Sequence, residues 1–153
     1  MDDVFRLRKY IYSDLVYINN FDGDTIRFRI RKGFDMGFGF TMYGEKEVAV
    51  RLMGIDTYEL RDSDPERKKK AYDAKNMVRT KLLDAERDGE KVVMITFKDR
   101  TGKYGRYLGW IYIGQIDDEH CLNNQLKWAG LTTGKYEKDR SGKPHRTPTA
   151  GKE

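Results

Sequence analysis

The stretch "DLVYINNFDGDTIRFRIR", residues 14–31, decides how the chain is laid out. Ile26, Phe28 and Ile30 alternate with Arg27 and Arg29, the period-2 pattern of a strand with one buried face. Residues 14–20 read as a shorter strand before it, and residues 25–31 as its hairpin partner. Between them, Asp22-Gly23-Asp24-Thr25 has the chemistry of a tight turn. Strands disfavour Asp, so two aspartates here either make the turn or hold something.

Working outward, "GFDMGFGFTMYG", residues 33–44, places four glycines among aromatics and methionines. That density predicts turns or a flexible excursion with an aromatic hairpin tip. Phe34, Phe38, Phe40 and Tyr43 suit two uses, stacking on bases or covering the sheet, and covering is the expected one. Residues 47–55 resume a strand. Asp64 then offers an N-cap with Pro65 in the first helical position and Glu66 where the dipole favours it. Ala74, Met77, Val78, Leu82 and Ala85 follow at helical spacing, and Gly89 ends the run. Arg67, Lys68, Lys69 and Lys70 read as a solvated face. Residues 91–97 and "RYLGWIYI" are strands separated by the turn "KDRTGKYG", and Leu122, Leu126 and Ala129 mark a short helix closed by Gly130.

Strand, strand, strand, helix, strand, strand, helix is the order of an α+β, five-stranded OB-type Greek-key barrel. Its inserted helix lies between the third and fourth strands, and a short helix follows the fifth. The expected domain is 1–136, with 137–153 a flexible basic tail.

Composition narrows the chemistry. The formal net charge of +5 suits a polyanion partner such as a phosphate backbone. A single cysteine, Cys121, excludes an internal disulfide and a cysteine-based zinc site, and two histidines disfavour a histidine-rich metal centre. No apolar run is long enough to span a bilayer. The N-terminus lacks a signal-peptide core. With Met1 as the natural start the chain is expected to be cytoplasmic, and with a removed leader it would be secreted. A monomer is expected.

Three polar clusters fall at strand ends or in adjoining loops. They are Asp22-Gly23-Asp24-Thr25, the "RLMGIDTYE" segment with Arg51, Asp56, Thr57 and Glu59, and "KYGRYL" with Lys103, Tyr104 and Arg106. Carboxylates with a backbone carbonyl suit a hard cation such as Ca²⁺. Two arginines can grip phosphodiester oxygens as charge builds on them. A further carboxylate can orient or deprotonate water. Singly, each cluster is an ordinary turn or strand end.

In register, "DGDT", then "R-x4-D-T-x-E", then "KYGR" resembles the staphylococcal nuclease family from about Val16 to Tyr136. "LGWIYI" and "LNNQLKWAGL" resemble the strand and helix that follow in that family. The resemblance implies an OB barrel and Ca²⁺-dependent cleavage of DNA and RNA to 3′-phosphate and 5′-hydroxyl ends. It makes Asp24, Asp56 and the Thr57 carbonyl the metal ligands, and Glu59 the group acting on water. Arg51 and Arg106 become the catalytic arginines. Lys103 and Tyr104 contact a terminal phosphate, Tyr136 lies against the base, and Asp22 has a supporting role. Tyr58 departs from the family's proline, which removes a fixed φ beside Glu59. The alternative within the resemblance is a non-catalytic module binding nucleic acid or protein on the same fold. An unrelated nuclease type built on Glu66-Arg67-Lys68 is disfavoured, because that spacing opens a helix.

Overall fold

Two residues, Ser13 and Asp14, join strands that lie at opposite edges of one sheet, and that connection sets the shape of the molecule. The computed structural model describes residues 10–96 and 106–134, without the side chains of residues 32–36, 41 and 106. The turn carrying Lys103 and Tyr104, Tyr136, and the tail expected from residue 137 lie outside the described residues.

The strands are β1 (Tyr10–Tyr12), β2 (Leu15–Asn20), β3 (Thr25–Gly37), β4 (Phe40–Leu52), β5 (Val92–Thr96) and β6 (Arg106–Ile113). The helices are α1 (Pro65–Asp88), between β4 and β5, and α2 (Leu122–Trp128), after β6. The sheet runs β1-β5-β6-β4-β3-β2, antiparallel except for the parallel β4–β6 pair. Its element order is consistent with an OB-like fold, but the expectation of a closed five-stranded barrel is corrected. Among the described residues there are six strands, and the sheet they form does not close. The edge of β5 that β2 would need is occupied by β1, through Tyr10–Thr96, Ile11–Ile95 and Tyr12–Met94. From Tyr12 to Leu15 is three Cα steps, at most about 11 Å. The two edges therefore lie close, in a sheet curled nearly into a cylinder.

The glycine-rich segment has the expected aromatic hairpin tip, but it is not a flexible excursion. Pairing continues through it, with Lys32 opposite Gly44 and Gly33 opposite Tyr43, so β3 and β4 form one long hairpin arm. The chain reverses at Phe38 and Gly39, with φ values of +55° and +78° flanked by +82° at Gly37. Phe38, Phe40 and Tyr43 do not cover the sheet, and the side chain of Phe34 lies outside the described residues. Phe38 is 98% exposed, and Phe40 and Tyr43 are exposed as well. A two-stranded arm that leaves the core has no layer against which its rings can pack.

The core lies inside the curl. Ile26, Phe28 and Ile30 of β3 meet Val48, Val50 and Leu52 of β4, with Ile111, Leu122 and Leu126 among the packed residues. Helix α1 covers this core with Ala74, Val78, Leu82 and Ala85, while Arg67, Lys68, Lys69 and Lys70 face solvent as expected. Its ends follow the local chemistry. The Asp64 carboxylate accepts the Arg67 N–H, and Gly89 caps the C-terminus in the left-handed conformation at φ +71°. No helix among the described residues is long and apolar enough to cross a membrane.

Buried Asn123 ties α2 to the sheet. Its Oδ1 accepts from Ile111 N–H at 3.1 Å, and its Nδ2 donates to the Met53 and Gly109 carbonyls at 2.9 and 3.2 Å. Replacing it with Ala would strand these groups away from water. Asn123→Ala is therefore expected to lower stability by about 2–4 kcal/mol, seen as a lower urea midpoint with an unchanged slope.

Candidate active site

The Asp-Gly-Asp turn, the end of β4 and the loop after it meet in one corner. Asp22 closes the turn, its Oδ1 accepting from the Asp24 and Thr25 N–H groups at 3.1 and 2.9 Å. Buried Asn20 secures it from behind, donating to the Asp22 and Lys75 carbonyls, each at 3.0 Å. Gly23 is required by proximity. A Cβ there would lie 2.6 Å from the Ala74 Cβ and 2.9 Å from the Thr57 Cγ2. The missing side chain lets the turn rest directly on α1 and on the loop.

Asp24 is consequently buried, at 6% exposure. Its Oδ2 accepts the Thr57 N–H at 2.9 Å, and Arg51 Nη1 lies 3.3 Å from the same oxygen. Arg51 Nη2 donates to Asp56 Oδ1 at 3.1 Å, and Nη1 donates to the Leu52 carbonyl at 3.2 Å. One guanidinium thus bridges two carboxylates, with only 14% of its side chain exposed. Asp56 is held further by Thr133, whose N–H donates to the Asp56 carbonyl at 2.7 Å and whose hydroxyl donates to Oδ2 at 3.3 Å. Thr57 pairs with Thr132 in an isolated bridge.

The electrostatics bear on whether these residues suit a cation. Burial, and then the neighbouring Asp24 charge, push the Asp22 carboxyl up to about 6. The buried Thr57 Oγ1 has no hydrogen-bond partner among the described residues. Crowded carboxylates and an orphaned hydroxyl form an all-oxygen donor set, the chemistry a hard divalent cation takes. Among the described residues no three His, Cys, Asp or Glu side chains are grouped to hold a metal. A cation here would need Asp24, Asp56 and the Thr57 oxygens, completed by water or substrate.

The other expected residues fall less closely together. Glu59 is exposed, on the loop leading to α1, and no ion pair engages its carboxylate among the described residues. That loop is steadied without the family's proline. Lys70 Nζ lies 5.8 Å from the centroid of the Tyr58 ring, and Arg67 grips Asp62 at 2.9 and 3.1 Å. The Arg67 hydrogen bond holds the Asp62 carboxyl below its usual range. Arg106 begins β6 with its backbone paired to Ala49, two residues along β4 from Arg51. Lys103, Tyr104 and Tyr136 lie outside the described residues. Thr133 and Asn20 were missed by sequence reasoning. Neither carries a local signal, since their partners lie as far as 77 and 55 residues away. Cys121 takes no part, because burial pushes its thiol up to about 11.

A curled sheet with one inserted helix and an acid–arginine corner at its strand ends defines an OB-like domain with a polar site. Residues 49–150 match the family described as staphylococcal nuclease homologue, more than half of the chain, and the protein belongs to that family. The matched span includes Arg51, Asp56, Thr57, Glu59 and Arg106, while Asp24 precedes it and is joined to the site by the contacts above. No curated protein matches the sequence.

Gly23→Ala would force the turn off α1. It is expected to cost about 1–3 kcal/mol in urea denaturation, as overpacking does. Ala at exposed Gly130, where a Cβ meets nothing within 4 Å, isolates the cost of positive φ for comparison.

Proposed function

We propose that this protein is a Ca²⁺-dependent nuclease that hydrolyses phosphodiester bonds of DNA and RNA, leaving 3′-phosphate and 5′-hydroxyl ends. The observation that carries this reading is the buried corner in which Arg51 bridges Asp24 and Asp56 beside the orphaned Thr57 hydroxyl. Family membership adds the expected chemistry.

In this reading Asp24, Asp56 and the Thr57 carbonyl hold the cation. When bound, it supplies positive charge beside the phosphate and lowers the cost of negative charge building there. The carboxylate oxygens that now face Arg51 are the ones a cation would take, which would leave the guanidinium to face a phosphate. Arg51 and Arg106 then bind the non-bridging oxygens, more strongly as the phosphorus becomes five-coordinate. Glu59, which is exposed, accepts a proton from the attacking water. The water oxygen bonds to phosphorus, the bond to the 5′-oxygen breaks, and that oxygen takes a proton from solvent water as it leaves. Arg106 assists its departure. Lys103 and Tyr104 contact the neighbouring terminal phosphate, and Tyr136 lies against the base.

The competing reading is a non-catalytic nucleic-acid or protein-binding module. In its favour, Tyr58 replaces the family's proline beside Glu59. The purified chain, incubated with plasmid DNA and with RNA in Ca²⁺, is expected to degrade both and to stop on chelation. Glu59→Ala and Arg51→Ala are each expected to slow cleavage a hundredfold or more, on the order of one transition-state group. Binding without cleavage at any protein concentration would establish the module instead.

A further inference from the structure

A cleft beside the acid–arginine corner is not used by the chemistry above. It has a volume of about 440 Å³ and opens between the Asp-Gly-Asp turn, the β3–β4 hairpin and α1. Its lining includes Asn19, Phe21, Thr25, Arg27, Ala49 and Lys75. The sheet register fixes its place. Thr25 is the cross-strand partner of Arg51, and Arg27 that of Ala49, so the strand floor of the cleft starts at the proposed catalytic arginine.

The chemistry of the lining is specific. Phe21 is 75% exposed although its backbone is anchored, its N–H donating to the Thr25 carbonyl at 3.2 Å. An aromatic ring turned to solvent from an anchored backbone at the rim of a cleft is a stacking platform. Two cations flank it. Arg27 has only a long, half-exposed pair with Glu47 at 3.7 Å, and no ion pair engages Lys75 among the described residues. Further along the hairpin, Arg29 and Arg31 stand opposite Glu47 and Glu45 in the register, so the row of arginines on this face continues from the cleft along β3. An aromatic face with two cations matches a nucleotide, the ring taking the base and the cations a phosphate. The base must have a free face, which a single strand offers and a stacked duplex does not.

We propose that this cleft is a nucleotide subsite for single-stranded DNA or RNA, seating the nucleotide next to the scissile phosphodiester. Phe21 stacks on its base, and Arg27 and Lys75 hold its phosphate. The identity of the adjoining phosphate rests on the nuclease reading, while binding in the cleft does not.

The test is fluorescence anisotropy of the full chain with a labelled twelve-residue oligothymidylate, and with a duplex of similar length, in chelator so that nothing is cut. Phe21→Ala is expected to weaken single-strand binding about tenfold while leaving duplex binding unchanged, in line with the loss of one stacked base. Phe21→Trp is expected to restore it. Arg27→Gln and Lys75→Gln are expected to weaken single-strand binding and to flatten its salt dependence. Urea midpoints of all four variants should stay close to the wild type, since Phe21 and Arg27 are exposed and Lys75 is only half-buried. Wild-type affinity in Phe21→Ala, equal losses for single strand and duplex, or no single-strand binding by the wild type would each overturn the proposal. Plasmid cleavage in Ca²⁺ separates the two readings. Binding of this kind without cleavage defeats the nuclease and leaves the subsite, whereas cleavage with unaltered Phe21→Ala binding does the reverse.

Discussion

The bridge from Arg51 to Asp24 and Asp56 is the interaction on which the rest of the site depends. Asp24 is buried, and a buried carboxylate without a counter-charge is strongly destabilising. Arg51 supplies that charge and, through the second carboxylate, fastens the β2–β3 turn to the loop that leads into α1. Two segments far apart in sequence, the turn and the end of β4 with its following loop, are thereby held in one corner.

The corner reaches further into the fold through Gly23. With no side chain there, the turn rests against Ala74 of α1 and the methyl group of Thr57. Asn20 adds a hydrogen bond to the Lys75 carbonyl on the same helix. Helix α1 is therefore both a cover for the core and the back wall of the site. Its Ala74 and Lys75 look in two directions, one packing against the turn and the other lining the cleft.

Elements whose causes are local were legible in the sequence. The Asp64-Pro65 start and Gly89 stop of α1, and the alternation of Ile26, Phe28 and Ile30, each follow from neighbouring residues, and the structure keeps both. What the sequence hid was set by partners. The Tyr10–Tyr12 strand is too short to show a period, and it exists because β5 offers it an edge. The glycines of residues 33–44 read as a break, yet cross-strand pairing carries the ladder through them. The aromatics beside them read as core but stand on an arm beyond it. Within the site, Asp24, Arg51, Asp56 and Thr57 were recognisable because their spacing resembles a family pattern. Thr133 was not, since only folding brings it to Asp56.

A double-mutant cycle joining Arg51→Met and Asp24→Asn, read by urea denaturation in chelator, tests the bridge most directly. If Arg51 is the counter-charge that makes burial of Asp24 tolerable, the two changes will be strongly non-additive. Each alone will destabilise, and the coupling will be about 1–3 kcal/mol. Additivity to within about 0.5 kcal/mol would mean that the two side chains are neighbours without dependence, and would contradict the account.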